Sequence, residues 1–255
     1  MKMTNKIKVN KEDYKKIIAL PHEIDDIEDV ERVFHEHTQS DMHPNNAWLM
    51  PEYPFKIIIC GRSNSGKTVL MLNMLMKHLT YDTITLIGGT IQYQNKYSIF
   101  SDMSELFPTK FILKDSVGKI KMNKYDKTQT NVIVIDDSQE AINSEVEQFN
   151  SLFSKGRHHN INPVFICQDF FKAPIRARAN TSLFIFFKLT SVKSITRIWR
   201  EVAADLEKDV FIRIFKEATQ PESGERFSFL VVDTEADSIE LKYRKGFNRL
   251  LLIDE

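Results

Sequence analysis

Residues 61–68, GRSNSGKT, have the composition and spacing of a phosphate-binding loop. They match the pattern G-x-x-x-x-G-K-[ST] at every fixed position, between an apolar run and a helix-forming run. Gly61 and Gly66 permit a tight turn that brings backbone N–H groups to phosphate oxygens. Lys67 supplies a point charge for the β- and γ-phosphates, and Thr68 supplies a hydroxyl for Mg²⁺. The predicted ATP-binding residues are Gly61, Arg62, Ser63, Asn64, Ser65, Gly66, Lys67 and Thr68.

Two adjacent aspartates end a later apolar run, NVIVIDDS at residues 131–138. We expect a buried strand beside the strand of the phosphate loop, ending in the acid that serves Mg²⁺ in such ATPases. Asp136 is predicted to be the metal-side carboxylate, acting through water. Asp137 is the candidate base that orients or deprotonates the attacking water. A second acid favours nucleotide turnover over a simple switch.

Gln168 and Arg157 are the polar candidates in the next part of the chain. Gln168 follows the apolar run PVFIC, so we expect it at the carboxyl edge of the sheet, where ligands bind in open α/β folds. There its amide would hold the attacking water or the γ-phosphate. Arg157, in SKGRHHN, would reach the ATP of a neighbouring subunit as an arginine finger. A DNA contact or a surface ion pair is the alternative for this arginine.

The charge of the chain is balanced overall but not along its length. There are 35 basic and 35 acidic residues, yet residues 151–200 contain nine basic residues and one acidic residue, Asp169. This excess of positive charge predicts contact with a phosphate-rich polymer, which we interpret as nucleic acid. The nine residues are Lys155, Arg157, Lys172, Arg176, Arg178, Lys188, Lys193, Arg197 and Arg200.

A second nucleotide motif, NKYD at residues 123–126, matches the guanine-reading pattern of GTPases. It lies upstream of the acidic pair in a polar run, whereas that motif should end an apolar strand downstream of the magnesium acid. Neither Asp136 nor Asp137 begins the D-x-x-G motif of GTPases, because Gln139 and Glu140 occupy the positions where the glycine would stand. We therefore interpret NKYD as a surface turn.

The elements needed to position these residues alternate between strands and helices, which predicts an α/β fold. The expected architecture is a P-loop NTPase with a mostly parallel central sheet flanked by helices. We predict strands at 55–60, 83–88, 110–114, 131–136, 163–168 and 182–188, and a closing antiparallel pair at 226–233 and 239–244. Helices are predicted at 68–79, 144–158, 191–206 and 208–219.

Residues 1–50 are predicted to be an N-terminal extension to the ATPase domain at 51–255. The extension begins with lysines, then becomes acidic, and apolar residues at helical spacing suggest a short amphipathic helix. Its histidines, His35, His37 and His43, lack a metal-binding pattern. We expect no signal peptide, no membrane insertion and no disulfide, with Cys60 and Cys167 buried in neighbouring strands.

Four blocks together resemble one family. GRSNSGKT, VIVIDDS, GRHHNINPVFICQ and APIRARANTSLFIFFK are similar, in order and spacing, to the genome-packaging ATPases of large DNA viruses. These ATPases belong to the FtsK–HerA superfamily and include the poxvirus type and relatives in virophages and Maverick/Polinton elements. The resemblance covers roughly residues 53–190.

The resemblance implies an oligomeric ring, expected to be a hexamer, that pumps double-stranded DNA into a preformed capsid using ATP and Mg²⁺. It implies capsid or portal-vertex proteins as partners, and the host cytoplasm, a viral factory or the virion as the location. It also implies an arginine finger at Arg157 or within the pair Arg176/Arg178. Arg178 and Asn180 match the R-x-N motif of the family. Arg176, which follows Ile175, matches the I-R motif of the family instead. Many members of the superfamily end the acidic strand in Asp-Glu, whereas this chain has Asp136-Asp137, as the viral packaging branch often does.

Alternatives to a packaging motor are a helicase or a conjugative coupling ATPase. A GTP-dependent switch or a small nucleotide kinase is less well matched. The acidic pair does not begin a D-x-x-G motif, and the sequence has no arginine-rich lid between the phosphate loop and the acidic pair.

Overall fold

The computed structural model describes residues 51, 53–75, 79–88, 110–136, 145–223, 227–247 and 249–251. The predicted extension at 1–50, with its helix and histidines, lies outside the described residues, and so does Asp137.

A nine-stranded sheet forms the centre of the fold, in the order β3-β2-β4-β5-β1-β6-β7-β8-β9. The first six of these strands run parallel, and β7, β8 and β9 continue the sheet in antiparallel pairing. The strands are β1 Ile57–Cys60, β2 Thr83–Ile87, β3 Lys110–Lys114, β4 Asn131–Asp136, β5 Ile161–Cys167, β6 Leu183–Phe187, β7 Phe229–Asp233, β8 Tyr243–Lys245 and β9 Arg249–Leu250. The predicted α/β class with a mostly parallel sheet is therefore confirmed.

Helices cover both faces of the sheet. They are α1 Lys67–Asn73, α2 Val146–Lys155, α3 Ile175–Ala179, α4 Val192–Val202, α5 Lys208–Ala218 and α6 Ile239–Lys242. Short 3₁₀ turns occur at Val117–Lys119, Met122–Lys124, Gly156–His159 and Phe170–Lys172. The four helices predicted from periodicity are present, whereas α3, α6 and the 3₁₀ turns were not predicted.

The alternation of side chains along the strands creates two apolar cores, one on each face. On one face, Leu70 and Met71 of α1 pack against strand residues such as Ile57 and Ile59. On the other, α2, α3, α4 and α5 pack against Ile58 and its neighbours through these residues: Phe149, Leu152, Phe153, Ala177, Ile195, Ile198, Phe211 and Phe215. Because both faces are covered, the central strands are apolar runs without polar alternation.

The strand order corrects one expectation about the site. The acidic strand β4 is not the direct neighbour of β1, because β5 lies between them and pairs with both. Gln168, which follows β5, is therefore placed between the phosphate loop and the end of β4.

The predicted strand at 239–244 is wrong for its first four residues, which form α6. Tyr243 of β8 pairs with Val232, next to the end of β7 at Asp233. Residues before Lys242 would pair beyond that end, where Thr234 instead donates a hydrogen bond to the carbonyl of Ser182. Without a partner strand, this segment forms a helical turn. The antiparallel pairing of β7 with β8 is confirmed.

Within the described part of the chain, no helix combines the length and apolar character needed to cross a membrane.

Candidate nucleotide site

The loop between β1 and α1 has the backbone geometry that a phosphate cradle requires. Gly66 has φ 97° and Asn64 has φ 60°, both in the left-handed region that favours glycine or asparagine. The N–H of Ser65 donates to the carbonyl of Arg62 at 3.2 Å, which closes the turn. The N–H of Gly61 donates to the carbonyl of Cys167 at 3.1 Å and so attaches the loop to β5.

Both fixed glycines are sites of close approach. A Cβ on Gly61 would lie 2.6 Å from Cβ of Phe187 and 2.7 Å from Oγ of Ser65. A Cβ on Gly66 would lie 2.8 Å from Cδ2 of Phe227. The sequence pattern identified the glycines but not these aromatic partners, which come from β6 and from the residues before β7. Such partners depend on long-range packing, and no local signal in the sequence indicates them.

Lys67 is buried, with 9% of its surface exposed, and its ammonium donates a hydrogen bond to the carbonyl of Arg62 at 2.8 Å. The ammonium of Lys67 and the N–H of Ser65 therefore share the carbonyl of Arg62, which places the ammonium across the turn. A cation held at this position, at the N-terminal end of α1, creates a compact positive region suited to a polyphosphate. Arg62, Ser63 and Asn64 are exposed at the rim of the turn.

Thr68 and Asp136 are in contact beside the phosphate loop. The Thr68 hydroxyl donates to Oδ2 of Asp136 at 3.4 Å, so the first turn of α1 and the end of β4 meet across β5. A hydroxyl and a carboxylate are hard oxygen donors, which Mg²⁺ prefers. The pair fits a Mg²⁺ ion held by the Thr68 hydroxyl, with Asp136 acting directly or through water.

The two cysteines lie beneath the loop, aligned on β1 and β5, and both are buried and free. A hydrogen bond with Cys60, together with burial, raises the pKa of the Cys167 thiol well above its usual range. Cys167 is therefore a neutral packing residue and not a nucleophile. The prediction of two buried cysteines in neighbouring strands is confirmed.

Gln168 follows Cys167 at the carboxyl edge of the sheet and is exposed. Its carbonyl accepts a weak hydrogen bond from Sγ of Cys60 at 3.9 Å, which fixes its backbone against the end of β1. The structure thus brings Gln168 to the same edge as Lys67, Thr68 and Asp136.

The two candidate arginine fingers lie in different environments. Arg157 is exposed in the turn that precedes β5, at the amino edge of the sheet and opposite the phosphate loop. Because β5 has seven residues, the two edges are roughly 20 Å apart along the strands. Arg157 therefore cannot serve the nucleotide of its own subunit.

Arg178, by contrast, is held inside its own subunit. Its side chain is 9% exposed and forms a forked ion pair with Glu201, with Nε–Oε2 at 2.7 Å and Nη2–Oε1 at 3.2 Å. It also donates to the carbonyls of Phe171 and Ala173 and lies over the ring of Phe170. These contacts join α3 to α4 and give Arg178 a structural role.

The remaining basic residues of 151–200 are exposed and belong to elements on, or next to, the face covered by α2, α3 and α4. Two of them have contacts of their own: Lys188 bonds Gln220, and Arg197 lies over the ring of Phe171 at 3.6 Å. Asn123, Lys124 and Asp126 are exposed in a turn, in which Asp126 accepts a hydrogen bond from the N–H of Thr128, whereas Tyr125 is partly buried against the core. The surface-turn interpretation of NKYD is confirmed.

Comparisons with known proteins show which family and fold this chain resembles. The model of the family described as Poxvirus A32 protein matches residues 46–238. The DNA packaging protein OPG160 of vaccinia virus, Copenhagen strain, is 22% identical over 194 residues, covering 71% of this chain and 70% of the vaccinia protein.

Two solved structures have a similar fold. The DNA-packaging ATPase B204 of Sulfolobus Turreted Icosahedral Virus superposes with a TM-score of 0.52 at 14% identity, covering 75% of this chain and 96% of B204. The sulfate complex of the genome packaging NTPase B204 from Sulfolobus turreted icosahedral virus 2 also gives 0.52 at 14% identity, with 75% and 95% covered. At these identities the likeness shows the fold.

Proposed function

This chain belongs to the Poxvirus A32 protein family, and we propose that it is an ATP-hydrolysing double-stranded DNA translocase that packages a viral genome into the capsid. The observation that carries the proposal is the contact between Thr68 and Asp136, because it joins the phosphate loop to the acidic strand. A loop that only bound phosphate would not need a carboxylate at this point.

Each residue of the site has a different role in ATP hydrolysis. Lys67 and the N–H groups at the start of α1 hold the β- and γ-phosphates. Thr68 and Asp136 would hold Mg²⁺, which would neutralise negative charge on the phosphates. Asp137 orients or deprotonates the attacking water, and Gln168 holds that water or the γ-phosphate from the end of β5.

Arg157 completes the site of a neighbouring subunit. Its exposure at the amino edge of the sheet supports a role in trans, where a guanidinium stabilises the charge of the transition state. This assignment requires an oligomeric ring, which we propose to be a hexamer. Arg178 is less suitable as the arginine finger, because its guanidinium forms an ion pair with Glu201 of the same chain.

DNA and the capsid are the proposed partners. The exposed basic residues of 151–200 would contact the phosphates of duplex DNA without reading its sequence. Docking to capsid or portal-vertex proteins would place the motor at the point of genome entry. The corresponding location is the host cytoplasm or a viral factory, with association to the virion during packaging.

The experiment that tests the proposal measures ATP hydrolysis with and without blunt duplex DNA, for the wild type and for Lys67→Ala. We expect duplex DNA to stimulate the wild type. Lys67→Ala should abolish hydrolysis and weaken nucleotide binding, because the buried ammonium that faces the phosphates is removed. Lys216→Ala is the matched control, since Lys216 is an exposed lysine on α5.

Other outcomes separate the alternatives. Strand separation coupled to hydrolysis would indicate a helicase. Preference for GTP in a competition assay would indicate a switch. Hydrolysis that persists in Lys67→Ala would refute the assignment of the nucleotide site itself.

A further inference from the structure

A cavity of about 690 Å³ lies beside the edge strand β3, far from the phosphate loop. Its walls are one face of β3 and the turns at residues 117–125. Five lysines and one aspartate line it: Lys110, Lys114, Lys119, Lys121, Lys124 and Asp126. We define these five lysines as the lysine groove.

Local geometry explains why the lysines converge. Lys110, Ile112 and Lys114 alternate along β3, so they share one face, and all three line the cavity. Thr83, aligned with Lys110 on the neighbouring strand, lines it too. From the other side, Tyr125 bonds Thr85 through its hydroxyl at 2.9 Å and so holds the lysine-bearing turns against the sheet.

The charge of the lysine groove is largely uncompensated within the described residues. Lys119 pairs with Asp115 at 2.7 Å, and both side chains are 61% exposed, so that pair is weak. Among the residues that the structure describes, no carboxylate lies within ion-pair distance of Lys110, Lys114, Lys121 or Lys124. Four or more cations lining one cavity favour a polyanionic ligand.

Lysines on an edge strand also discourage pairing with another sheet, which is the simpler explanation for Lys110 and Lys114. It does not account for Lys119, Lys121 and Lys124, which belong to turns and not to the edge strand. The two sets face each other across one cavity. Protection of the edge would not require that arrangement.

The groove also continues towards other basic residues. Asn131 lines the groove, and its side-chain N–H groups donate to the carbonyls of Asp126 at 2.9 Å and His159 at 3.4 Å. His159 ends the turn that carries the exposed Arg157, which follows the exposed Lys155. Asn131 therefore links the wall of the lysine groove to the turn that carries Arg157.

We propose that the lysine groove binds the phosphate backbone of duplex DNA, as a contact of the motor separate from its nucleotide site. This inference deepens the proposed function and depends on it. From Lys110 to Lys114 the strand spans roughly 13 Å, so these two lysines can contact different phosphates of one DNA strand. All five cations are lysines, which act as point charges without the forked geometry of base recognition. Such a contact grips DNA of any sequence, as a translocase requires.

The test measures binding of the full chain to short blunt duplex DNA by fluorescence anisotropy, over a range of salt concentrations. The four-site variant carries Lys110→Gln, Lys114→Gln, Lys121→Gln and Lys124→Gln. Two double variants test the two walls of the groove separately. One carries Lys110→Gln and Lys114→Gln on β3, and the other carries Lys121→Gln and Lys124→Gln at the turns. The matched control carries Lys208→Gln and Lys216→Gln, two exposed lysines of α5, and melting followed by circular dichroism checks that each variant is folded.

We expect the four-site variant to bind DNA at least about tenfold more weakly, with a log–log salt slope smaller by about 2 or more, since each phosphate contact contributes about 0.9. Each double variant should lose about half of this effect, and the control should match the wild type. If the four-site variant has the same log–log salt slope as the control, the lysine groove does not bind DNA. The proposal that the protein is a translocase would then still stand.

A wild type that binds no duplex DNA would overturn both proposals. If the four-site variant loses binding to polyglutamate but keeps its DNA salt slope, the groove binds an acidic protein and the DNA assignment is wrong.

Discussion

The hydroxyl of Thr68 donates a hydrogen bond to Oδ2 of Asp136 at 3.4 Å, although β5 separates their strands in the sheet. The contact is possible because α1 begins directly above the carboxyl edge, where β1, β5 and β4 all end. Two oxygen donors that come from elements 68 residues apart in sequence are thereby held in one place. This is the arrangement in which a nucleotide-bound Mg²⁺ would be coordinated.

Thr68→Ala should impair the metal side of the site while leaving the fold intact, because Thr68 is only partly buried. We expect kcat/KM to fall by about tenfold or more at limiting Mg²⁺, since one oxygen ligand is lost. Thr68→Ser retains the hydroxyl and is the matched control. Titration of hydrolysis with Mg²⁺ after chelation measures both, and equal Mg²⁺ requirements for the two variants would contradict the assignment.

Gly61→Ala should damage both stability and nucleotide binding. The new Cβ would lie 2.6 Å from Cβ of Phe187, which belongs to β6 and cannot move without disturbing the sheet. Overpacking of this kind costs about 1–3 kcal/mol in the free energy of unfolding. The displaced loop should bind ATP at least about tenfold more weakly, which isothermal titration calorimetry would measure.

Gly156→Ala is the control for that prediction. Its Cβ would lie 3.2 Å from the carbonyl oxygen of Ile161, at the opposite edge of the sheet. It should reduce stability without changing affinity for ATP. If Gly61→Ala binds ATP as tightly as Gly156→Ala, the close approach to Phe187 is not what shapes the loop.

The elements around the site that the sequence predicted correctly are local ones. The phosphate loop and the strand ending in Asp136 each combine a short apolar run with polar residues at its end, and neighbouring residues alone determine such a unit. The position of β5 between β1 and β4 was not predictable in this way. Strand order depends on which long-range pairings bury the most surface, and the expectation that β4 adjoins β1 was wrong.

The same distinction explains the error at residues 239–244. Ile239, Leu241 and Tyr243 alternate with polar residues, which is the pattern of a strand. Of these three residues, only Tyr243 pairs with a residue of β7, because β7 ends at Asp233. The length of a neighbouring strand, fixed elsewhere in the chain, therefore decided the conformation of this segment.

Asp137→Asn tests the proposed base, whose assignment is a prediction from the sequence. We expect binding of ATP to be retained and turnover to fall by about 100-fold or more, because general-base catalysis contributes about 10²–10⁴ to the rate. Asp136→Asn should differ by raising the Mg²⁺ requirement. Single-turnover hydrolysis and nucleotide titration distinguish the two, and undiminished turnover in Asp137→Asn would place the base elsewhere.

Arg178→Ala should destabilise the fold, since Arg178 joins α3 to α4 through Glu201. Arg178 is buried and the Glu201 side chain is 37% exposed, so breaking this forked pair should lower the free energy of unfolding by about 1–3 kcal/mol. Arg178→Lys should be intermediate because lysine lacks the fork. Denaturant unfolding of Arg178→Ala, Glu201→Gln and the double variant should give a coupling energy of about 1–3 kcal/mol. Arg176→Ala, an exposed neighbour on α3, should change stability by less than about 0.5 kcal/mol. An Arg178→Ala variant with full stability and no ATP hydrolysis would instead identify Arg178 as the arginine finger in trans.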